Sequence, residues 1–293
     1  MSDYQIKKSG KQAIVIVLIC MSLWALIPVV SKLGQQNLDN HQFLFWSSLV
    51  SFVVLFITTI ATKNHAHLKK YSPREWLTAI TLGFLGTYAY YILLYFAYAN
   101  ARGLEVLVLQ YSWPIFIVVL SVILLKERLN TVKIISLALG FLGVFLVISK
   151  GNFQNLHFEN ISVDLLVIIG TASFALFSVL SKKVELEPIS VTTVYFLTAT
   201  CLSFISMILL SSFSLPTADS IIPILLNGIL VNGFSYILWI IALKKTQASF
   251  LAPFVFLTPV LSTVYLILFF NEPFLPVYAI GLVCVIVAGI MNR

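Results

Sequence analysis

Four tyrosines recur at helical spacing within one apolar stretch of the chain. They stand at i, i+3, i+7 and i+10 and so share one helix face: Tyr88, Tyr91, Tyr95 and Tyr98. A phenol that faces bare lipid leaves its hydroxyl without a partner, so the stripe is predicted to face a helical bundle interior. There the rings would stack on an apolar or aromatic molecule. Anchoring at the membrane interface is the alternative for Tyr95 and Tyr98.

A second helical set extends this aromatic chemistry. Its members stand at i, i+4 and i+7: Asn232, Tyr236 and Trp239. Further rings on apolar segments are Trp24, Trp113 and Phe174. Together these side chains predict an aromatic box whose hydroxyls mark the polar end of a small-molecule substrate. Packing in the core or at the interface is the alternative for the tryptophans and Phe174.

Three prolines interrupt apolar segments well inside them. Pro28, Pro114 and Pro259 each remove a backbone hydrogen bond to the residue four positions earlier. Pro114 and Pro259 are therefore predicted to kink their helices and to act as hinges, in preference to exposing carbonyls that ligate the substrate.

Charged residues have only minor predicted roles. Glu127 and Glu272 each precede a helix and are expected to cap it, since a carboxylate favours the positive helix N-terminus. Glu105 is expected to form a surface pair with Arg102, with attraction of a substrate ammonium as the alternative. Lys32 is expected to reach the interface, with contact to a substrate carboxylate as the alternative.

Residues typical of catalysis and metal binding lie apart from one another. All four histidines fall in connections between apolar segments: His41, His65, His67 and His157. The sequence has no HExxH, GxSxG or phosphate-binding glycine loop. The three cysteines lie within apolar segments, without the spacing of a disulfide or metal framework: Cys20, Cys201 and Cys284. We therefore predict that the protein is not an enzyme and holds neither metal nor cofactor; zinc at His65 and His67 is the alternative.

Composition identifies the elements that must position these side chains. The chain has 293 residues, of which 60% are hydrophobic and 10% charged, and a mean hydropathy of +1.01. Soluble domains carry about 25% charged residues, so a polytopic membrane protein is predicted. Since a helix needs ~20 apolar residues to cross a bilayer, the intervals between charges predict an all-α protein with ten spans, at 12–31, 42–62, 76–101, 106–125, 134–149, 165–181, 190–212, 220–243, 248–270 and 274–291.

The basic residues set the expected orientation. With ten spans both termini lie on one side, and that side collects 15 of the 18 lysines and arginines. The basic-rich side normally stays cytoplasmic, so a multi-pass protein of the inner (plasma) membrane with both termini in the cytoplasm is predicted. The net charge of +7 is thus a topology signal, and nucleic-acid binding is not expected. The sequence leaves the oligomeric state open.

The chain repeats itself after five spans. A shift of 150 residues matches five of eight positions between residues 25–32 and 175–182. A shift of 145 places Tyr91 on Tyr236 and Pro114 on Pro259. Because five is odd, the halves 1–149 and 150–293 are predicted to be inverted repeats, an arrangement common in transporters with alternating access. Duplication of a bundle without transport is the alternative.

Several motifs, in this order, carry a family resemblance. They are Leu23-Trp24-Ala25, the helix from Pro114 to Leu125 followed by Lys126-Glu127-Arg128-Leu129, the pair Gly140 and Gly143, Thr258-Pro259-Val260-Leu261, and Glu272-Pro273. Over nearly its whole length the chain resembles the drug/metabolite transporter superfamily, in the ten-helix EamA-type branch. The resemblance implies a transporter with a small-molecule substrate in a lipid bilayer.

A narrower resemblance concerns the aromatic amino acid exporter group of that superfamily. It lies in Glu105-Val106, Gln110-Tyr111 and Trp113-Pro114, with Tyr236, Trp239 and the segment 257–262. It implies export of aromatic or other neutral amino acids and a substrate contact from Gln110, which stands where the group has Asn. Export of other metabolites or drugs, and a channel or assembly subunit, are the alternatives. Since no charged residue lies at a span centre, facilitated or exchange-type efflux is expected.

Overall fold

The structure is a computed structural model that describes residues 3–101, 103–152, 160–270 and 274–291. Within those ranges all regular structure is helical, as expected. In the described part of the chain, nine helical segments have the length and apolar composition to cross a membrane, and a tenth apolar helix is shorter. Spans 1 to 10 are Lys11–Gly34, Asn40–Ala61, Pro73–Ala97, Val106–Leu125, Thr131–Ile148, Ile161–Lys183, Pro188–Leu210, Ala218–Lys245, Ala248–Phe270 and Pro276–Met291. The predicted ten-span, all-α architecture is confirmed.

Spans 1, 4 and 9 are each divided into two helices. The two helices of span 1 are Asp3–Trp24 and Ile27–Gly34, those of span 4 are Gly103–Gln110 and Trp113–Leu125, and those of span 9 are Ala248–Val255 and Leu257–Phe270. A proline follows each break within three residues, at Pro28, Pro114 and Pro259. The breaks follow from proline chemistry, because its ring removes the N–H donor and clashes with the preceding turn.

Spans 3 and 8 change helix type instead of breaking. In span 3 the π-helix Phe84–Ala89 connects the helices Pro73–Gly83 and Tyr90–Asn100. In span 8 the π-helix Asn227–Phe234 connects Ala218–Leu226 and Ser235–Lys245. Hydrogen bonds in a π-helix run from i to i+5, so each insertion turns the following helix relative to the preceding one.

The remaining spans are continuous helices, and spans 2, 5, 6 and 7 begin with a side-chain cap. A capping box begins span 2, where Asp39 and Gln42 exchange hydrogen bonds between side chain and backbone. Asn130 caps span 5 by accepting from the backbone N–H of Lys133 at 2.8 Å. A short helix, His65–Leu68, lies between spans 2 and 3.

Packing of the spans follows a regular scheme. Span 2 packs along span 7 and span 5 along span 10, while span 1 packs on span 8 and span 6 on span 3. Glycines allow the closest of these approaches. A Cβ atom on Gly281 of span 10 would lie 2.3 Å from Val147 Cγ2 and 2.7 Å from the Gly143 carbonyl oxygen of span 5. Small residues at helix contacts let backbones approach in membranes.

Gly281→Ala is therefore expected to lower stability by about 1–3 kcal/mol, the usual cost of overpacking. Thermal unfolding of purified protein in detergent measures the change. Gly289→Ala in the same helix is the matched control, because its Cβ would lie 3.4 Å from the Phe254 ring, an ordinary contact distance. Equal melting temperatures for the two variants would contradict the proposed tight packing between spans 5 and 10.

Candidate functional site

Aromatic rings from four spans meet beside the breaks in spans 1 and 4. The Trp24 ring stands at the centre, with centroid distances of 5.9 Å to Trp113, 5.8 Å to Phe174, 5.9 Å to Tyr236 and 5.5 Å to Trp239. These rings come from spans 1, 4, 6 and 8. All five side chains are at least 95% buried. Four elements distant in sequence thus supply one aromatic cluster.

The rings touch mainly edge to face. Trp113 lies 5.0 Å from Phe174 at an interplanar angle of 79°. Phe174 also lies 4.9 Å from Tyr90, which lies 5.0 Å from Tyr91, in tilted contacts. Trp24 meets Trp113, Phe174 and Tyr236 edge to face, at interplanar angles of 74°, 73° and 68°. Such arrangements place positive ring edges against negative ring faces and contribute about 0.5–1.5 kcal/mol per pair beyond burial. The cluster is therefore an ordered surface on which another ring can pack.

Serines orient two of the three buried indoles of the cluster. Trp24 Nε1 donates to Ser235 Oγ at 2.7 Å, and the Ser235 hydroxyl donates in turn to the Val231 carbonyl oxygen. Trp239 Nε1 donates to Ser178 Oγ at 3.0 Å. A buried indole N–H without a partner is costly, so these bonds hold the rings in fixed orientations.

A tyrosine pair joins the two π-helical spans. The Tyr236 hydroxyl donates to the Gly86 carbonyl oxygen at 3.1 Å and lies 3.4 Å from the Tyr91 hydroxyl. Tyr91 donates to Asn232 Oδ1 at 3.2 Å. The acceptors Gly86 and Asn232 lie in the π-helices of spans 3 and 8, respectively. Tyr91 and Tyr236, which occupy equivalent positions in the two halves, thus meet in a polar network beside the rings.

A small cavity lies inside the cluster, with a volume of about 30 Å³. Its described lining holds aromatic, amide, hydroxyl and aliphatic side chains and no charged one: Trp24, Ile27, Tyr90, Tyr91, Gln110, Tyr111, Trp113, Phe174, Tyr236 and Thr258. Ligand pockets usually measure about 300–1,000 Å³. A molecule of amino-acid size therefore requires the lining helices to move apart.

Six of the eight predicted binding residues line this cavity, namely Trp24, Tyr91, Gln110, Trp113, Phe174 and Tyr236. Gln110 Nε2 donates to the Tyr90 hydroxyl at 2.9 Å. Trp239 packs against Trp24 and Trp113 from behind the lining. Tyr88 lies elsewhere: it is partly buried, with its ring 6.0 Å from that of Phe84.

The π-helix in span 3 changes which tyrosines of the predicted stripe face the cavity. Tyr88 belongs to the π-helix, whereas Tyr91 belongs to the α-helix that follows. The extra residue per turn shifts the register, so that Tyr90 joins Tyr91 at the cavity in place of Tyr88. Tyr95 stacks on Tyr91 at 5.6 Å. The Tyr98 side chain lies outside the described residues. Sequence reasoning missed Tyr90 because regular α-helical spacing places it off the stripe.

Glu127 has a different partner from the one expected. Its carboxylate accepts from the backbone N–H of Ala248 at 2.8 Å, from that of Ser249 at 2.9 Å and from Ser249 Oγ at 2.6 Å. It therefore caps the first helix of span 9, and the helix that follows it in sequence is capped by Asn130. The prediction that Glu127 caps its own next helix was wrong, because a buried carboxylate needs more donors than the exposed loop supplies.

Lysines strengthen the same end of the bundle. Lys133 Nζ donates to Gln247 Oε1 at 2.6 Å and to Ser249 Oγ at 3.0 Å. Lys182 Nζ donates to the Leu243 carbonyl oxygen at 2.7 Å. We call the contacts of Glu127 and Lys133 with residues 247–249 the lysine-end lock, after the basic residues that gather there. The lock joins spans 4 and 5 to span 9.

Lys32 lies outside the described lining of the cavity. Lys32 Nζ lies 4.1 Å above the Phe270 ring, a cation–π contact. Arg102, Glu272 and the side chain of Glu105 lie outside the described residues. Within the part of the chain that the structure describes, no three His, Cys, Asp or Glu side chains converge as a metal site.

Comparison with known proteins identifies the kind of molecule that carries this cavity. The chain matches the EamA-like transporter family over residues 11–149 and 161–292. It is 25% identical over 256 residues to an uncharacterized transporter of Archaeoglobus fulgidus, a match that covers 86% of this chain and 87% of that protein.

Two further similarities bear on substrate and fold. The chain is 24% identical over 208 residues to the aromatic amino acid exporter YddG of Ancylobacter novellus, covering 71% of this chain and 72% of that protein. A solved crystal structure superposes with a TM-score of 0.86 at 19% identity, covering 96% of this chain and 97% of its own. This last similarity supports the ten-span fold alone.

Proposed function

Because the chain belongs to the EamA-like transporter family, we propose that it is a secondary transporter that exports small metabolites, chiefly aromatic or other neutral amino acids. The observation that carries the proposal is the uncharged aromatic cavity beside the breaks in spans 1, 4 and 9. Trp24, Trp113 and Phe174 supply ring faces and edges for an aromatic side chain. Tyr91 and Gln110 supply hydrogen bonds for its polar end.

Alternating access through this cavity is the proposed mechanism. The halves 1–149 and 150–293 act as inverted repeats that exchange one packing for its mirror. The packing scheme supports this, since replacing each span by its repeat partner turns the contact of spans 1 and 8 into that of spans 6 and 3. The breaks at Pro114 and Pro259 occupy equivalent positions and serve as hinges.

The structure supports a state that is closed at the lysine-rich end. There the helices Trp113–Leu125 and Ala248–Val255 of spans 4 and 9 pack on each other, whereas in the described residues their other halves, Gly103–Gln110 and Leu257–Phe270, have no comparable contact. The lysine-rich end is the cytoplasmic one by the distribution of charge. Substrate enters from the cytoplasm once the lysine-end lock opens and leaves on the opposite side.

We propose that the substrate moves by facilitated or exchange-type efflux. The described cavity lining contains no Asp, Glu, His, Lys or Arg that could bind a coupling proton during the cycle. The same neutral lining suits other apolar metabolites or drugs, which form the second candidate class of cargo.

A substrate screen in proteoliposomes tests the proposal. Vesicles loaded with single labelled amino acids should release an aromatic or neutral one in a saturable, protein-dependent manner. Release of other apolar metabolites alone would move the assignment to the second class. Strong accumulation that depends on an imposed proton gradient would contradict exchange-type movement, and release without saturation would indicate a channel.

Tyr91→Phe tests the polar end of the cavity. The variant retains the ring but loses the hydroxyl that donates to Asn232, so transport is expected to fall about three- to tenfold, in line with ~1 kcal/mol for one buried hydrogen bond. Initial rates at several substrate concentrations measure the loss. Tyr195→Phe is the matched control, because its buried hydroxyl lies beside Ser181, 3.4 Å away and outside the cavity lining. Equal losses in both variants would argue against a substrate role for Tyr91.

A further inference from the structure

A second cavity lies between spans 1, 9 and 10 and differs from the first in every property. Its volume is about 250 Å³, against about 30 Å³ for the aromatic cavity. Its described lining is wholly apolar: Ile14, Leu18, Phe254, Leu257, Val285, Ile286, Gly289 and Ile290. We call it the span 10 groove. A closed apolar cavity of about 150 Å³ already holds a benzene-sized molecule, so the groove has room for a longer hydrocarbon segment.

Gly289 keeps the groove open. Its missing side chain leaves space beside the buried Phe254 ring of span 9, which a Cβ atom at this position would approach to 3.4 Å. Spans 1 and 10 each pack on span 9 without packing extensively on each other in the described residues. The groove therefore forms a cleft between two outer helices, with span 9 as its floor, inside the part of the protein that lies in the membrane.

A lysine stands at one end of the groove. Lys11 precedes Ile14 and Leu18 by three and seven residues on the same helix, so the three side chains share one face. Side chains of a helix tilt toward its N-terminus, which carries the exposed Lys11 ammonium beyond the groove toward the membrane surface. The span 10 groove is apolar and has a cation at its membrane-surface end. It therefore suits one anionic lipid, whose acyl chain would lie in the groove and whose headgroup would lie at the lysine.

The floor of the groove spans the break in span 9. Phe254 lies just before the break, and Leu257 begins the helix after it. Any occupant of the groove thus contacts both helices of span 9 and affects how these two helices pack against each other.

We propose that the span 10 groove binds one acyl chain of an anionic phospholipid from the leaflet at the lysine-rich end, with Lys11 pairing with the headgroup phosphate. The bound chain supports the junction between the two helices of span 9. This site is independent of the identity of the transported substrate.

Photolabelling tests the proposal. Full-length protein in nanodiscs is exposed to phosphatidylglycerol that carries a diazirine on its acyl chain, and labelled residues are mapped by mass spectrometry. Label is expected on the groove residues in excess over the lipid-facing residue Ile280, which is 56% exposed. Gly289→Leu and Leu18→Phe fill the groove from opposite walls, and each is expected to reduce groove labelling at least fivefold. Ile280→Phe is the matched control and should leave it unchanged.

The headgroup is tested with a second probe. Lys11→Glu is expected to lower the preference for phosphatidylglycerol over phosphatidylcholine about fivefold, as one basic residue near a membrane surface predicts. Groove labelling equal to that at Ile280, or unaffected by both filling variants, would overturn the acyl-chain site. If Lys11→Glu leaves the preference for phosphatidylglycerol over phosphatidylcholine unchanged, the proposed headgroup contact is wrong. Labelling only by an apolar probe without a headgroup would assign the groove to small hydrophobic molecules instead.

Discussion

Trp113→Ala is expected to reduce transport of an aromatic substrate at least tenfold. The Trp113 ring contacts Trp24, Phe174 and Trp239 and lines the central cavity. Its removal takes away both a stacking surface for the substrate and the support that keeps neighbouring rings in place. Loss of one aromatic contact costs about 0.5–1.5 kcal/mol beyond burial, and about 1.4 kcal/mol corresponds to a factor of ten. Initial rates in proteoliposomes, normalised to inserted protein, measure the effect.

Two variants separate loss of the site from loss of the fold. Trp113→Phe retains a ring and should keep transport within a few-fold of the original rate. Trp76→Ala removes a tryptophan that packs on Tyr71, 5.6 Å away and outside the cavity lining, and should leave the rate unchanged. A Trp113→Ala protein that folds and transports normally would show that the aromatic cavity is not the substrate site.

Glu127→Ala is expected to open the lysine-rich end. The carboxylate accepts three hydrogen bonds from Ala248 and Ser249, and a bond to a charged group contributes about 1.5–3 kcal/mol. This contact exists only in the closed state, so its loss shifts the equilibrium toward the open state. A loss of this free energy raises the ratio of open to closed protein more than tenfold. In the open state water satisfies the freed N–H groups of span 9.

Cysteine accessibility measures this shift. Ala252 is fully buried one turn beyond the lock, so Ala252→Cys, in a chain whose Cys20, Cys201 and Cys284 are replaced by alanine, reports opening. Glu127→Ala should raise its alkylation rate by a water-soluble thiol reagent more than tenfold. Asn160→Ala is the control, because Asn160 caps span 6 through the Val163 N–H, at the end of the bundle opposite the lock. Equal rates with and without Glu127 would exclude the lock as the barrier.

Membrane chemistry made the spans predictable. Charges are costly inside a bilayer, so the intervals between them marked all ten spans. The short fifth and sixth intervals extend in the structure to include Lys133 and Asp164, respectively, near the ends of their helices. The prolines likewise predicted interruptions in spans 1, 4 and 9, since a missing N–H acts locally.

The finer geometry of the site depends on contacts that local spacing does not encode. Trp24 and Phe174 were predicted to belong to one aromatic box, and their rings lie 5.8 Å apart. Tyr90 was missed because the π-helix before it shifts the register of the span, which regular α-helical spacing does not anticipate. Glu127 was assigned the wrong partner because its donors lie 121 residues away in sequence.

Counterflow of a labelled aromatic amino acid tests the central claim most directly. Proteoliposomes loaded with unlabelled phenylalanine are diluted into labelled phenylalanine, and uptake is followed over time. A carrier with an alternating aromatic cavity predicts a transient, saturable overshoot of label that Trp113→Ala abolishes and Trp76→Ala preserves. Label that equilibrates without an overshoot and is indifferent to internal substrate, in protein verified as folded, would contradict carrier-type exchange of aromatic amino acids.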